Sequence, residues 1–318
     1  GPLCLGQDSI IPWPPSAEDW LVEGVPMPGG WVIGIIGGSG IYEIEDLEDP
    51  QWITINSTFG MPSDDVLIGQ INGIKMVFLP RHGRGHIQSP SSINYRANID
   101  IMKRCGVTDI VSVSACGSFR EEMKPGDFVI INQFIDRTFS REKSFFGPGC
   151  VAHVSVAKPT CSRLGEICHK AVITQGIKVH MGGNYLAMEG PQFSTLAESE
   201  LYREKWGCDV IGMTNMPEAK LAREAEICYT SIAMITDYDS WHPDHGEVNI
   251  TNIIKTLRNN ANNAKKLIAY LPHLLDSQRP FCENGCDKAL EFAILTQPDS
   301  RDPQMVAKLD AVAGRVLK

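Results

Sequence analysis

Apolar residues in this chain gather into short, nearly unbroken runs, separated by longer stretches in which they recur every three or four positions. The first run opens at Trp31. WVIGIIGGSG, residues 31–40, is strand-like and ends in a glycine turn that carries one hydroxyl, Ser39. Glycines let a backbone approach an anion closely, but the spacing of a dinucleotide fingerprint and the lysine of a P-loop are both missing. Similar runs occupy 76–79, 109–114, 127–131, 179–185, 209–213 and 228–236. Between them, helical spacing predicts helices over 92–105, 158–175, 195–206, 217–225 and 248–269. Strands that are apolar throughout are covered on both faces, so this alternation predicts an α/β fold on a mainly parallel sheet.

Ligands of such sheets bind beyond the carboxyl ends of the strands, which singles out the residues after each run. Leu79 is followed by PRHGRGH, with Arg81, His82, Arg84 and His86; Val113 by Ser114 and Ala115; Ile211 by Met213 and Thr214. The hydroxyls of Ser39, Ser114 and Thr214, the turn amides and the planar guanidinium of Arg81 make a donor set suited to phosphate or sulfate. A surface ion pair is the alternative for Arg81, and its position directly after a buried strand argues against it. His82 reads equally as a ligand contact or as a satisfied structural group; Arg84 and His86 read as structural. Farther on, MEGPQF (188–193) leaves a buried strand. Glu189 there accepts from vicinal hydroxyls or caps the structure, and Phe193 stacks on a base or, by default for an aromatic, fills the core. The run 227–235 ends in TDYDSW, which places Asp237 and Asp239 on one face of an extended segment. Such a pair holds a metal, shares a proton or reads a donor-rich ligand edge. With no histidine or further acid beside it, the metal version is weak.

Charge narrows the partners. A formal charge of −9 leaves no basic field for nucleic acid or an anionic membrane, so a small molecule is expected and any anion site must be local. The ten cysteines are scattered through apolar segments and read as buried thiols in a reducing compartment, which places the protein in the cytoplasm with a nuclear pool allowed. Cys282 and Cys286 are separated by three residues, but no second Cys or His pair at ligand spacing follows them, so no metal is expected. No apolar run is of bilayer length and no signal peptide is evident. Residues 1–30, rich in proline, are expected to form an irregular arm that opens with the remnant of a cleaved tag.

Eight segments carry more than local chemistry. IGIIGGSG, RHGRGH, NYRANI, ACGSFREEMKPGD, QFIDRT, MEGPQFST, MTNMPEAKLAREAEICY and MITDYDSW follow one another between about residue 33 and residue 271. In that order they resemble the trimeric purine-nucleoside phosphorylase family, and within it the members that cleave methylthioadenosine. The resemblance implies one α/β domain over 31–275, with a mixed, barrel-like central sheet surrounded by helices, and this qualifies the parallel-sheet expectation. It implies a homotrimer with sites near subunit boundaries, and no metal or organic cofactor, inorganic phosphate being a co-substrate. Phosphate contacts fall to Ser39, Arg81, His82, Ser114, Ala115 and Thr214, with serine at 39 and 114 where close relatives often have threonine. Base and ribose contacts fall to Phe193, Met213, Asp237 and Asp239. Ser194 and Ile250 stand where substrate choice is set, with Ile253 on the same helical face, and His153 matches a residue that reaches a neighbouring subunit's site. Residues 276–318 depart from the family pattern and are expected to be an extension packed beside the site.

The implied reaction is phosphorolysis of the N-glycosidic bond of methylthioadenosine to adenine and 5-methylthioribose 1-phosphate. The sugar passes through an oxocarbenium-like state while negative charge grows on the base. Phosphate held by Arg81 and the hydroxyl loops answers the first, and Asp237, protonated through burial and the nearby Asp239, answers the second at N7. Two alternatives stand beside it: a phosphorylase for 6-oxopurine nucleosides, disfavoured by the Asp pair, and a catalytically silent nucleoside-binding protein, disfavoured by the full phosphate set.

Overall fold

A computed structural model describes residues 30–317 and the backbone of residues 2–4 and 10–12. Within the expected arm, Pro2–Cys4 (β1) and Ile10–Pro12 (β2) pair antiparallel, so the arm is not irregular throughout; its other residues lie outside the described ones. Among the described residues no helix is long and apolar enough to cross a membrane.

The apolar runs form strands because each has two faces to bury. In β3 (Val32–Gly37), Val32 and Ile36 enter one core while Ile33 and Ile35 enter another. The remaining strands are β4 (Glu48–Ile53), β5 (Val66–Ile71), β6 (Ile74–Pro80), β7 (Asp109–Ser118), β8 (Phe128–Ile131), β9 (Gln133–Asp136), β10 (Val179–Met181), β11 (Asn184–Ala187), β12 (Val210–Gly212) and β13 (Cys228–Asp237). They make one eleven-stranded sheet in the order β10-β8-β13-β7-β3-β6-β5-β4, with β12 joined to the far part of β7 and β11 and β9 beyond it. Helix α1 (Tyr95–Arg104) and α4 (Asn215–Glu224) cover one face. Helices α2 (Ser162–Thr174) and α5 (Ile250–Tyr270) cover the other. A short α3 (Leu196–Glu200) runs on into a π-helical turn, Leu201–Lys205, where one continuous helix was expected.

The mainly parallel expectation is corrected to a mixed sheet. β3, β6, β7 and β13 run parallel, whereas β4/β5, β5/β6, β8/β13 and β7/β12 are antiparallel. The predicted strand 179–185 splits at Gly182–Gly183 into β10 and β11, which belong to different parts of the sheet. β4 left no apolar run to read, since five of its six residues are exposed.

The tail does not pack beside the carboxyl ends of the strands. It crosses their amino ends: Trp31 Nε1 donates to the Asp276 carbonyl (3.0 Å), and Arg279 pairs with Asp109, the first residue of β7 (2.7 Å). Two short helices, α6 (Pro303–Lys308) and α7 (Gly314–Leu317), follow, with Arg104–Asp310 and Arg315–Glu226 ion pairs holding them. The same wrapping corrects the reading of the cysteines as scattered thiols. Cys282 and Cys286 meet Cys161, before α2, and Cys228, at the start of β13, with all four sulfurs within 4.8 Å of one another.

Candidate active site

The carboxyl ends of β3 and β6 lie side by side against the middle of β7, because Gly37 is paired with Pro80 and Ile36 with Ser112. Gly38–Ser39 and Arg81–His82 therefore leave the sheet together, beside Ser114–Ala115 within β7. β12 runs back along β7 with Ile211 opposite Gly117, which carries Met213 and Thr214 toward Ala115 and Ser114. The sheet is open here: Ala115 is exposed and Ser114 half-buried although both lie inside a central strand, and Ser39 is exposed in its turn. Thr214 is buried before α4, and its hydroxyl makes no capping bond to the helix.

Arg81 is placed at this edge but its guanidinium is committed elsewhere, and the anion-clamp expectation is corrected. The residue is 1 % exposed. Nε and Nη2 fork onto the Glu218 carboxylate (2.9 and 3.2 Å), Nη2 also donates to Ser112 Oγ (2.5 Å) and the Ile36 carbonyl, and Nη1 donates to the Val113 carbonyl (3.0 Å). Glu218 also accepts from Ser112 Oγ (2.6 Å) and the Tyr229 hydroxyl (2.8 Å), and Asn215 bridges Ser112 to Ser231. This buried network ties the ends of β3 and β6 and the middle of β7 to α4 and supports the edge from below.

His82 stays at the edge as a neutral ring. Nδ1 donates to the Gln88 carbonyl (2.8 Å), which leaves Nε2 as an acceptor, and burial, then the Arg81 charge, pushes its pKa down to about 4. The ring stacks on His86 with centroids 4.2 Å apart. Arg84 is structural, as expected, paired with Asp64 (2.9 Å) and lying over Trp52 (3.8 Å to the ring centroid).

At the far end of β7, the two aspartates are set by a bulge rather than by strand alternation. The register of β13 against β7 slips between Ile235 and Asp237, and Asp239 has φ +52°, so the extended-segment expectation is corrected. Short acidic side chains are among those that tolerate this left-handed region. Asp237 Oδ2 accepts from Thr236 Oγ1 (2.6 Å) and Oδ1 from the Asp239 backbone N–H (2.8 Å). Those two bonds favour the ionised form, yet burial outweighs them and, with the Asp239 charge, holds the Asp237 carboxyl above its ordinary value. Asp239 is 4 % exposed and also raised, chiefly by burial, and its Oδ2 has no hydrogen-bond partner among the described residues. A buried, unpaired acceptor is costly in a fold and suits a donor brought by a ligand.

The other expected contacts divide. Phe193 is 39 % exposed, so it is not a core residue, and Ser194 is buried below it with its carbonyl held by Ser240 Oγ (3.0 Å). Met213 is half-buried. Ile250, at the start of α5, is 57 % exposed and Ile253 half-buried, an apolar helix face open at its amino end. His153 is exposed and its backbone is bonded to Ala293 in the tail. The cap alternative is the one realised for Glu189. It accepts from the Phe139 and Ser140 N–H groups (2.8 and 3.0 Å), from Ser91 and from Arg141 Nε (2.9 Å), which together hold its pKa at about 2 against the cost of burial. Arg141 also donates to the Met213 carbonyl (2.5 Å), which fixes the Met213 backbone to the Glu189 loop.

Four supporting residues left no readable signal: Glu218, Arg141, Tyr185, whose hydroxyl accepts from the Thr214 N–H (3.4 Å), and Gly117. Gly117 matters for what it lacks. A Cβ there would stand 2.9 Å from Asp237 Oδ1 and 3.1 Å from Ile211, so alanine must displace the bulge. Gly117→Ala is expected to lower turnover by about 10- to 100-fold by misplacing the aspartates, with the chain still folded. Steady-state kinetics alongside a thermal melt checks this; unchanged turnover would show that the aspartates tolerate the shift.

Comparison with known proteins places the chain in a family. Residues 32–271 match the family model described as the phosphorylase superfamily. An S-methyl-5′-thioadenosine phosphorylase from Cereibacter sphaeroides is 66% identical over 287 residues, 90% of this chain and 99% of that protein. One from Rhodospirillum rubrum is 57% identical over 90% of this chain and 97% of its own. Among solved structures, a methylthioadenosine phosphorylase from an antarctic soil metagenomic library superposes with a TM-score of 0.84 at 44% identity, covering 89% of this chain and 99% of that one. Another, from Schistosoma mansoni in complex with adenine, has a TM-score of 0.76 at 32% identity over 86% of this chain and 99% of its own. A match of 287 residues in a chain of 318 necessarily runs past residue 271 into the tail.

Proposed function

The chain belongs to the phosphorylase superfamily, among its S-methyl-5′-thioadenosine phosphorylases, and we propose that it performs their reaction with the residues described above. That reaction is the phosphorolysis of S-methyl-5′-thioadenosine to adenine and 5-methylthioribose 1-phosphate. The observation that carries the assignment of roles is the Asp237–Asp239 pair, two carboxylates with raised pKa values, Asp237 half-buried and Asp239 buried with an oxygen that has no partner among the described residues, placed across Gly117 from the open phosphate edge.

Phosphate sits at the edge formed by the Gly38–Ser39 turn, Ser114, Ala115 and Thr214, with His82 beside it. Its donors are neutral hydroxyls and amides, since Arg81 and Arg84 are both spoken for by carboxylates. His82 Nε2 accepts the remaining proton of a phosphate monoanion or takes one up when the dianion arrives. The ribose lies over Met213, the base stacks on Phe193, and the 5′-methylthio group meets Ile250 and Ile253. Phosphate then attacks C1′ while Asp237 protonates N7 of the leaving adenine and Asp239 accepts from its amine. No organic cofactor or metal enters these steps. Exposed Phe139, Ile87 and His153 fit a homotrimer in which a neighbour completes the site, and the free, buried cysteines among the described residues fit a reducing compartment such as the cytoplasm.

The test is release of purine from methylthioadenosine, methylthioinosine and inosine, with and without inorganic phosphate. Adenine release that requires phosphate and yields a sugar 1-phosphate is expected. Equal release without phosphate would make the protein a hydrolase, and no release from any of the three would make it a silent binder.

A further inference from the structure

We propose that Cys161, Cys228, Cys282 and Cys286 hold one divalent metal ion, zinc by the chemistry of the set, in a structural tetrathiolate site that fastens the C-terminal tail to the amino ends of the sheet.

The four residues reach one point from three places in the fold. Cys161 precedes α2, with its N–H bonded to the Tyr229 carbonyl (2.8 Å), and Cys228 opens β13. Cys282 and Cys286 flank a tight turn in which Gly285 has φ +74° and donates to the Cys282 carbonyl (3.1 Å). The Asp287 carboxylate accepts from the Cys282 N–H (2.8 Å) and fixes the turn. All four side chains are buried.

The spacing suits one ion. Zinc–sulfur bonds of about 2.3 Å in a tetrahedron put neighbouring sulfurs about 3.8 Å apart. Here Cys161 and Cys282 have sulfurs 3.7 Å apart and no pair in the set exceeds 4.8 Å. A disulfide needs about 2.05 Å, so the observed separation is that of ligands around a centre, not of a bonded pair. Four thiolates fill a tetrahedron completely, which leaves no open position and makes the site structural. A soft all-sulfur set of this size selects zinc, or iron as a single ion, over magnesium or calcium.

The surroundings supply a second, independent indication. Arg279 Nη2 points at Cys228 Sγ (3.3 Å), Arg163 Nη2 at the same sulfur (3.6 Å), Arg223 Nη1 at Cys286 Sγ (3.4 Å), and Asn284 Nδ2 at Cys161 Sγ (3.9 Å). A guanidinium offers donors alone, so three of them aimed at sulfur fit thiolates better than S–H groups. Asp109 and Asp287 pair with two of these arginines and leave an excess of one positive charge beside the doubly negative zinc tetrathiolate. Donors of this kind around ligating sulfurs are the usual outer support of such sites. Binding is ion exchange: four S–H groups release four protons as the ion enters, with no change in oxidation state.

The experiment is elemental analysis of the tag-free full chain, purified in reductant without chelator or added metal. One zinc per chain is expected, falling below about a tenth of an equivalent in Cys282→Ser and Cys286→Ser, while Cys168→Ser, a buried thiol outside the cluster, retains it. Should the serine variants fail to fold, the wild type carries the test. Titrating it with a thiol-reactive mercurial must release the ion in step with four thiols, and cobalt put in its place must show the intense sulfur charge-transfer absorption of a tetrahedral site. Iron in the same amount would keep the site and change the ion. Metal-free protein with four free thiols, or an intact mass lowered by two hydrogen atoms for each disulfide formed, would overturn the proposal.

Discussion

Arg81→Ala is expected to unfold the protein early rather than to weaken phosphate binding selectively. The substitution removes a fork onto Glu218 and donors to two backbone carbonyls and Ser112, all in a place that water does not reach. Glu218, itself buried, would be left with only the Ser112 and Tyr229 hydroxyls to answer it. Breaking a buried pair from one side costs about 3 to 5 kcal/mol, because the partner's desolvation is left uncompensated. At about 2 to 4 °C for each kcal/mol in a chain of this size, the melting midpoint should fall by roughly 6 to 20 °C. Arg81→Lys should recover little of this, since an ammonium cannot reproduce the planar fork. The pairing itself is tested by adding Glu218→Leu: the double variant should be more stable than Arg81→Ala alone. A variant that melts like the wild type and shows only a raised phosphate KM would return Arg81 to the role that the sequence suggested.

That case shows what a single chain reveals and what it hides. Strands were legible where burial on both faces forces unbroken apolar runs, as in β3 and β13, and illegible where a strand such as β4 faces solvent. The residues that end those runs were legible as candidates too, since parallel strands present their carboxyl ends together, as at Arg81 and Asp237; Thr214 follows a strand antiparallel to β7, and Ser114 lies inside β7. Roles were harder. Arg81 has the right chemistry for an anion in the right place, but what it does depends on Glu218, which lies 137 residues away in the sequence. The cysteine cluster was hidden for the same reason. Spacing exposes a metal site when ligands come in close pairs, and here two of the four are single residues brought in by α2 and β13. The Asp239 backbone, with its positive φ, could not be read from TDYDSW, though it decides which way the carboxylate points.

The largest effect on specificity is expected at Asp237. Adenine offers, on one edge, an amine that donates beside N7 that accepts, so a matching site needs an acceptor and a donor. Asp239, with a buried oxygen that has no partner among the described residues, supplies the acceptor; Asp237, whose pKa burial raises, supplies the proton. A 6-oxopurine presents a carbonyl where the amine stood, and that carbonyl would face the Asp239 oxygen with no hydrogen between them. Sites built on such pairing reject the mismatched ligand by several powers of ten when the polar groups are left buried and unpaired. The wild type should therefore cleave methylthioadenosine far faster than methylthioinosine. Asp237→Asn keeps the shape but loses the acid, and a positioned general acid contributes about 100- to 10,000-fold, so kcat on methylthioadenosine should fall within that range. With Asp239→Asn added, the relative rate on the 6-oxo substrate should rise, because an amide then donates to the carbonyl. The acid also sets a pH dependence. Asp237 must hold its proton, so kcat should decline as pH rises through its raised pKa, above the ordinary carboxylate value of about 4, and that decline should vanish in Asp237→Asn. A wild type that cleaves both purines equally, or an alkaline limb that survives the substitution, would remove Asp237 from this role.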